Sequence, residues 1–463
     1  MPKFDLAIIG GGPGGCQAAI SGQLRGLKTV LIEKKELGGV CLNQGCIPTK
    51  TLLSIAKFFD RVKKANSFGI ALPSYSYDFR TMQTRKDEVV TGLHQAMADQ
   101  LKRAGVRVLK GTGRLINGNK VQVTTKDYVD EIEARSIIIS TGSRPKAFPN
   151  VPFDGRLFLS SDDILNLSRV PERLIVMGGG VTGVEFASLF HSLGTQVTIV
   201  ELLDRLIPTE DSELGKRLET SFKRRGISVH TGAKVTGIAK AGSSVSVQLQ
   251  SGEKIQGDHV LIAIGRLRNT EDLGLEKAGV ERTGDAVRVD DYLETTAKNV
   301  YAVGDVTTLP QLAHVASFGG QLVVENLVSP EGKRPFPKHA IPNCIFCDPA
   351  VASVGWSRAE AEHEGRSVKE VKLPLSAQGK AHVERELEGF VKLLADLRDG
   401  TVIGGCVMGG EASEVIGVLT LAVSARMKID ELAHTIFAHP TYHEIIGDAA
   451  RLGILTPSVF SDR

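Results

Sequence analysis

Short apolar runs that end in glycine alternate with stretches of helical spacing along the first two thirds of the chain. Asp5 to Ile9 is one such run; it enters Gly10-Gly11-Gly12-Pro13-Gly14-Gly15, a helix-like stretch follows, and a second run, Thr29 to Ile32, closes on Glu33. Leu174 to Met177 repeats the plan, entering Gly178-Gly179-Gly180-Val181-Thr182-Gly183, and Val197 to Val200 closes on Glu201. In each copy the acid lies 23 residues beyond the first glycine, so the pattern predicts a duplicated βαβ unit. Ile137 to Gly142, Val260 to Gly265 and Val300 to Gly304-Asp305 are further apolar strands that deliver glycine at their carboxyl ends, where ligands of open α/β sheets collect. After about Pro335 the glycine motifs stop. Strand-like runs from Gly389 to Asp396 and Val402 to Val407, with a helix-like Ala412 to Met427, predict a separate α+β unit there.

A strand, a G-x-G-x-x-G turn, a following helix and an acid about 20 residues on together make a dinucleotide site. Both copies meet all four requirements. Gly10 and Gly178 make the tight turn, Gly12 and Gly180 let the backbone approach a pyrophosphate, and Gly15 and Gly183 allow helix and strand to pack closely. Glu33 and Glu201 are placed to hold adenosine ribose hydroxyls. A carboxylate there repels a 2′-phosphate, so Glu201 predicts NAD(H) rather than NADP(H) in the second site.

Composition narrows the class. At roughly 150 residues per domain, 463 residues suggest three domains. Lys and Arg number 56 against 53 Asp and Glu, and a net charge of +3 argues against a nucleic-acid binder or a polybasic membrane anchor. No apolar run reaches the ~18 residues that would span a bilayer. The opening MPKFDLAIIG runs straight into a strand, with neither a secretory nor a transit leader, which predicts a cytoplasmic protein. Six cysteines are too few for an extracellular disulfide framework, and in a reducing compartment a close pair points to redox or metal chemistry.

Cys41-Leu42-Asn43-Gln44-Gly45-Cys46 is such a pair, eight residues past Glu33 and directly before Ile47-Pro48-Thr49-Lys50. Pro48 suits a first helical turn, and a helix N-terminus stabilises a thiolate, so two thiols at a predicted helix start are placed for a reversible disulfide. Lys50 follows Cys46 by four positions and brings positive charge to the same helix face. Cys344 and Cys347 form a C-x-x-C without the second pair a zinc site needs, so no metal is expected. Cys16 and Cys406 read as core residues, and the runs Lys63-Lys64 and Lys223-Arg224-Arg225 as solvated helix faces.

Gly38-Gly39-Val40-Cys41 through Cys46-Ile47-Pro48-Thr49-Lys50, with both glycine motifs, Ser140 to Pro145, Ala263 to Arg266 and Ala302 to Asp305 in order, resembles the class I FAD-dependent pyridine nucleotide–disulfide oxidoreductases over nearly the whole chain. Within that family it resembles the lipoyl-specific branch through Glu388 to Lys392 and His439-Pro440-Thr441 with Glu444. The resemblance implies an α/β fold with two Rossmann-like domains and a C-terminal α+β dimerisation domain. The expected divisions are residues 1–146 for FAD, 147–267 for NAD, 268–336 returning to the FAD domain, and 337–463 for dimerisation. FAD would be held by Gly10, Gly12, Pro13, Gly14, Gly15, Glu33, Lys34, Gly39, Val40, Cys41, Lys50, Gly113, Thr141, Gly142, Ser143, Gly304, Asp305, Gln311, Leu312, Ala313 and His314. NAD would be held by Gly178, Gly180, Val181, Thr182, Gly183, Glu185, Glu201, Val235 and Gly265, with Lys50 paired to Glu185 beside the flavin. Cys41, Cys46, Lys50, Glu185, His439 and Glu444 would be catalytic, His439 serving the partner subunit of a homodimer.

The implied reaction is oxidation of a dihydrolipoyl dithiol, carried by a lipoyl protein or domain, with reduction of NAD+. Other disulfide reductases of the family are alternatives. A glutathione-type enzyme would be expected to carry basic residues in place of Glu201, and mercuric or large thioredoxin reductases an extra C-terminal Cys or selenocysteine pair, where this chain has Val459 to Arg463. A soluble transhydrogenase would lack Cys41 and Cys46. A non-catalytic FAD/NAD-binding redox sensor would have no need of Cys41, Cys46, His439 and Glu444 together. Phe437 stands where the lipoyl enzymes usually have His, and Tyr442-His443 where they usually have Leu-Ser; both bear on the shape of the substrate channel.

Overall fold

The computed structural model describes residues 3–455. The first apolar runs pair in parallel: strand Thr29–Glu33 lies on one side of Lys3–Ile9 and Val129–Ile139 on the other. The full order is Arg107–Lys110, Thr29–Glu33, Lys3–Ile9, Val129–Ile139, Lys120–Thr124 and Thr112–Asn117, and Val300–Ala302 joins in parallel beside Val129–Ile139. Period-two alternation sends Ala7, Ile9, Val30 and Ile32 into one core and Leu6, Ile8 and Leu31 into another, so both faces of this sheet are buried. Helices Pro13–Leu24 and Ala313–Val328 pack on the second face, so close that a side chain at Gly320 would overlap the carbonyl of Gly14.

The second copy builds a parallel sheet in the order Ser228–His230, Gln196–Val200, Arg173–Met177, His259–Ile262 and Phe158–Leu159. An antiparallel meander, Val235–Ala241, Ser244–Leu249 and Lys254–Gly257, covers one face of it through Val245 and Val247. Strand Arg266–Arg268 pairs with Ser143–Pro145 and stitches the crossing between the two nucleotide units.

From Pro342 onward the sheet is antiparallel, in the order Pro342–Ile345, Val351–Gly355, Val402–Met408, Phe390–Asp396 and Val368–Pro374. Helices Ala412–Ser424 and Glu444–Leu455 bury Val415, Ile416, Leu419, Ile445, Ile446 and Ala449 against Val391, Leu393 and Val407. The opposite face sends Phe390, Cys406 and Met408 into the core of the second nucleotide unit, so this sheet is continuous with the rest of the molecule.

Ion pairs reinforce that junction and correct one sequence expectation. Lys392, buried, meets Asp211 at 2.9 Å and Glu213 at 3.3 Å. Arg225, read from sequence as part of a solvated face, pairs instead with Asp348 and Glu388 of the C-terminal sheet region, and Arg224 reaches Glu388 at 2.6 Å. Lys63 likewise donates to the carbonyl of Ser192, across to the second nucleotide unit. Among the described residues no helix is long and apolar enough to cross a membrane.

Candidate redox and dinucleotide sites

The Cys pair occupies two helices rather than one helix start. Cys41 lies within the short helix Gly39–Gln44; the backbone breaks at Gly45, and Cys46 is the first residue of helix Cys46–Lys63, with Pro48 still in the first turn. That break lets the two sulfurs meet although five positions separate them. Both are thiols here, and the Cys41 S–H hydrogen-bonds to Cys46. This bond, aided by the Lys50 ammonium and opposed by burial, lowers the Cys46 thiol to about 7, while Cys41, holding its proton as the donor of that bond and partly buried, is pushed far up. The segment is hooked to the first glycine loop: Gly38 N–H donates to the Gly11 carbonyl at 2.7 Å, and a Cβ at Gly39 would lie 2.8 Å from Gly12 Cα. Val40 follows Gly39 on the same short helix.

Lys50, one turn after Cys46, meets Glu185 Oε2 at 2.8 Å. Glu185 is only 3% exposed, and its other oxygen accepts the Phe346 N–H at 3.0 Å. The Lys50 ammonium also sits 5.0 Å above the Phe346 ring. His439 and Glu444 form a separate pair: Nδ1 lies 2.9 Å from Oε1, and Oε2 accepts the Thr441 N–H at 2.8 Å. The Thr441 amide and then His439 hold the Glu444 carboxyl below its usual range. The imidazole side chain is 77% exposed. Among the described residues neither member of this pair hydrogen-bonds to the Cys41–Lys50 segment of its own chain.

The two glycine loops are near copies in space. A Cβ at Gly10 or Gly178 would overlap the carbonyl of Ser140 or Ala263, and one at Gly15 or Gly183 would overlap the carbonyl of Gly10 or Gly178. At Gly180 nothing lies within 4 Å, and at Gly12 only Gly39 Cα does, at 4.0 Å. The helices that follow, Pro13–Leu24 and Val181–Ser192, carry no side-chain cap, so Pro13, Gly14, Val181 and Thr182 open bare N-termini onto that space. Glu33 accepts the Gly11 N–H at 2.6 Å and Glu201 the Gly179 N–H at 2.5 Å; the second oxygens take the N–H groups of Lys35 and Leu203.

Residues 4–320 match the family described as pyridine nucleotide-disulphide oxidoreductase, and residues 341–450 match its dimerisation domain. The chain belongs to the pyridine nucleotide-disulphide oxidoreductases. It is 38% identical over 458 residues to a dihydrolipoyl dehydrogenase of Chlamydia muridarum, covering 98% of this chain and 97% of that one. With a dihydrolipoyl dehydrogenase of Chlorobaculum tepidum it shares 40% over 455 residues, 97% and 96% of the two chains. The crystal structure of LpdA from Mycobacterium tuberculosis superposes with a TM-score of 0.91 at 30% identity, covering 98% and 99%. The HOCl-induced flavoprotein disulfide reductase RclA of Escherichia coli gives a TM-score of 0.86 at 29% identity over 97% and 100%.

The cofactors of this oxidoreductase are FAD and NAD(H), and its own geometry accommodates two dinucleotides. Each loop has open space over its middle glycine, an uncapped helix end for phosphates, and an acid whose oxygens keep spare lone pairs. Around the first loop, Ser143 donates to Asp305 at 2.5 Å, and Gly304 packs on Ala316 near the start of the helix that Gln311-Leu312 leads into and Ala313 and His314 open. Thr141 exchanges hydrogen bonds with Asn269 at 2.7 and 2.9 Å, while Gly142 and Gly265 take left-handed backbone conformations. Gly113 packs on Ile9 and Ile32 beneath the strand ends, and Lys34 is exposed beside Glu33. Val235 follows the Gly232–Ala233 segment that bonds back to Leu203 and Glu201, beyond the second loop.

Three residues that sequence reasoning did not place there brace the expected site residues. Arg266 donates to Ser143 Oγ at 2.7 Å and to its carbonyl at 3.1 Å, fixing the turn that meets Asp305. Asn269 braces Thr141, and Phe346 braces Glu185 and Lys50. Each lies more than 100 residues from its partner, and only Arg266, within Ala263-Ile264-Gly265-Arg266, carried a local signal. Cys344 and Cys347 do not act as a pair: Cys344 packs against the core of the C-terminal unit, and Cys347 is buried in that of the second nucleotide unit. Burial pushes both thiols up, Cys344 to about 11. Cys16 and Cys406 are core residues.

Proposed function

We propose that the protein is a dihydrolipoyl dehydrogenase of homodimers, oxidising a dithiol on a lipoyl-bearing protein or domain while NAD+ becomes NADH. The observation that carries this is geometric: the break at Gly45 brings the Cys41 and Cys46 sulfurs into hydrogen-bond contact beside the Lys50–Glu185 pair, in a chain with two dinucleotide loops. In the oxidised enzyme a substrate thiolate attacks Cys41, forming a mixed disulfide and releasing Cys46 as the stable thiolate, which makes it the better leaving group. The second substrate sulfur then attacks the substrate sulfur bound to Cys41. The substrate leaves as a cyclic disulfide, and Cys41 departs as a thiolate that takes up a proton to become the thiol.

Two protons leave the substrate; Cys41 takes one and His439 from the partner subunit the other, with Glu444 orienting the ring and balancing its charge. FAD, when bound, supplies the two-electron relay between thiols and nicotinamide. Lys50, held by Glu185, keeps positive charge beside Cys46. The first glycine motif with Glu33, Lys34, Gly39, Val40, Gly113, Thr141 to Ser143, Gly304-Asp305 and Gln311 to His314 serves FAD. The second, with Glu185, Glu201, Val235 and Gly265, serves NAD. The units divide near residues 146, 267 and 336, the third segment returning to the first unit.

Turnover of free dihydrolipoamide with NAD+ tests the reaction, and its absence in yellow, flavin-loaded protein would overturn it. Subunit exchange tests the shared site. A Cys46→Ser parent mixed with a His439→Gln parent should regain activity, because one site of each heterodimer receives an intact Cys pair and an intact His. Verified exchange without recovery would move the base to within one chain.

A further inference from the structure

Gly447 lies three residues after Glu444 on the helix Glu444–Leu455, on the same face and fully within the fold. Glycine inside a helix is unfavourable relative to alanine, so propensity alone makes Gly447→Ala a stabilising change. The surroundings oppose it. A Cβ at Gly447 would lie 2.8 Å from Cδ2 and 2.9 Å from Cε2 of Phe437, well inside van der Waals contact. Phe437 is half-buried and precedes His439 by two residues.

The segment carrying His439 is therefore held at two points one helical turn apart. Glu444 grips His439 Nδ1 and the Thr441 amide, and the bare backbone of Gly447 seats the Phe437 ring. The helix cannot give way, because the flanking Ile445, Ile446 and Ala449 are wholly buried in the C-terminal core. Arg451 closes another side: its Nη1 would stand 3.4 Å from the new Cβ while donating to the Ala433 carbonyl at 3.2 Å. An added methyl must push the ring, and the ring is joined through Ala438 to His439. We infer that Gly447 is a positioning residue for His439, its missing side chain being the seat that fixes Phe437 and, with Glu444, the reach of the imidazole. This rests on the reading of His439 as the base.

The test uses flavin-loaded, full-length Gly447→Ala, Phe437→Leu, the double variant and His439→Gln. Three quantities are measured: the limiting rate of flavin reduction by dihydrolipoamide, NADH-driven reduction of an artificial electron acceptor, which needs no dithiol base, and the melting temperature. A 1 Å misplacement costs on the order of 10²-fold in rate, so Gly447→Ala should slow dithiol reduction at least about tenfold. Acceptor reduction should stay at the wild-type rate and melting should not fall. Leucine at 437 frees the space the methyl needs, so the double variant should recover to within about threefold of Phe437→Leu alone. A wild-type dithiol rate in Gly447→Ala, equal loss of both activities, or no recovery in the double variant overturns the inference. A wild-type dithiol rate in His439→Gln overturns the assignment of the base instead.

Discussion

The asymmetry of the thiols can be taken apart atom by atom. The Cys46 ionisation is lowered to about 7, so the folded site favours its thiolate. The hydrogen bond from Cys41 is the largest favourable cause, burial works against it, and the Lys50 charge adds less. Cys41→Ser keeps a hydrogen-bond donor and Cys41→Ala removes it, so the pair isolates that bond. In Cys41→Ala the Cys46 ionisation should rise back toward the ordinary thiol range, so that at pH 7 the thiolate fraction falls and alkylation slows several-fold, on the order of two- to tenfold. Ultraviolet thiolate absorbance against pH, with iodoacetamide labelling followed by mass spectrometry, reads this on the FAD-loaded protein. Lys50→Met should raise the ionisation less. The sign also carries to stability. Between about 7 and 9 the unfolded chain retains the Cys46 proton that the folded enzyme has lost, so reduced enzyme should gain stability with rising pH in that window and lose the gain as pH falls through 7. Identical titrations of Cys41→Ser and Cys41→Ala would refute the hydrogen-bond account, and a larger effect from Lys50→Met would reverse the ranking.

Other consequences are open to direct measurement. Glu201 is buried and turned onto the second glycine loop, so kcat/KM should favour NADH over NADPH by on the order of 10² or more, and equal values would contradict this use of its charge. His439→Gln should lose the dithiol half-reaction by about 10² to 10⁴ while retaining flavin and NADH-driven acceptor reduction; Glu444→Gln should lose less, and the reverse order in stopped-flow traces would rule out an orienting role. Lys392→Met strands Asp211 and should cost about 3 kcal/mol of stability, whereas adding Asp211→Asn should restore most of it; equal midpoints for the single and double variants in denaturant would show that the pair is not coupled.

What the sequence discloses is governed by distance along the chain. The βαβ copies are legible because strand, turn, helix and acid all fall within 29 residues, and the spacing from first glycine to acid survives duplication intact. Cys41, Cys46 and Lys50 are legible for the same reason, although the break at Gly45 is not, since one backbone conformation separates two helices from one. The helix Phe79–Ala104 and the antiparallel strands Thr112–Asn117 and Lys120–Thr124 carry no glycine signature and lie outside the motif pattern. Arg225 reads as a surface charge because its partners, Asp348 and Glu388, come from segments more than 120 residues away. Local pattern specifies elements, while long-range charge pairing specifies which surfaces stop being surfaces.

Glu185 is where those two kinds of information meet. Its helix begins on the second glycine loop, so the feature that makes a nucleotide site also sets the height at which a carboxylate leaves the helix five residues later. Its partners arrive from elsewhere: Lys50 from the redox helix of the first unit and the Phe346 amide from the C-terminal unit, with Ser188 one turn further on accepting the Asp348 amide at 2.9 Å. A carboxylate 3% exposed is costly to leave unpaired. Both of its oxygens are satisfied only when all three units are docked. The same contact that places positive charge beside Cys46 thus penalises any arrangement in which the units separate, and it ties the geometry of the thiols to the integrity of the interfaces around them.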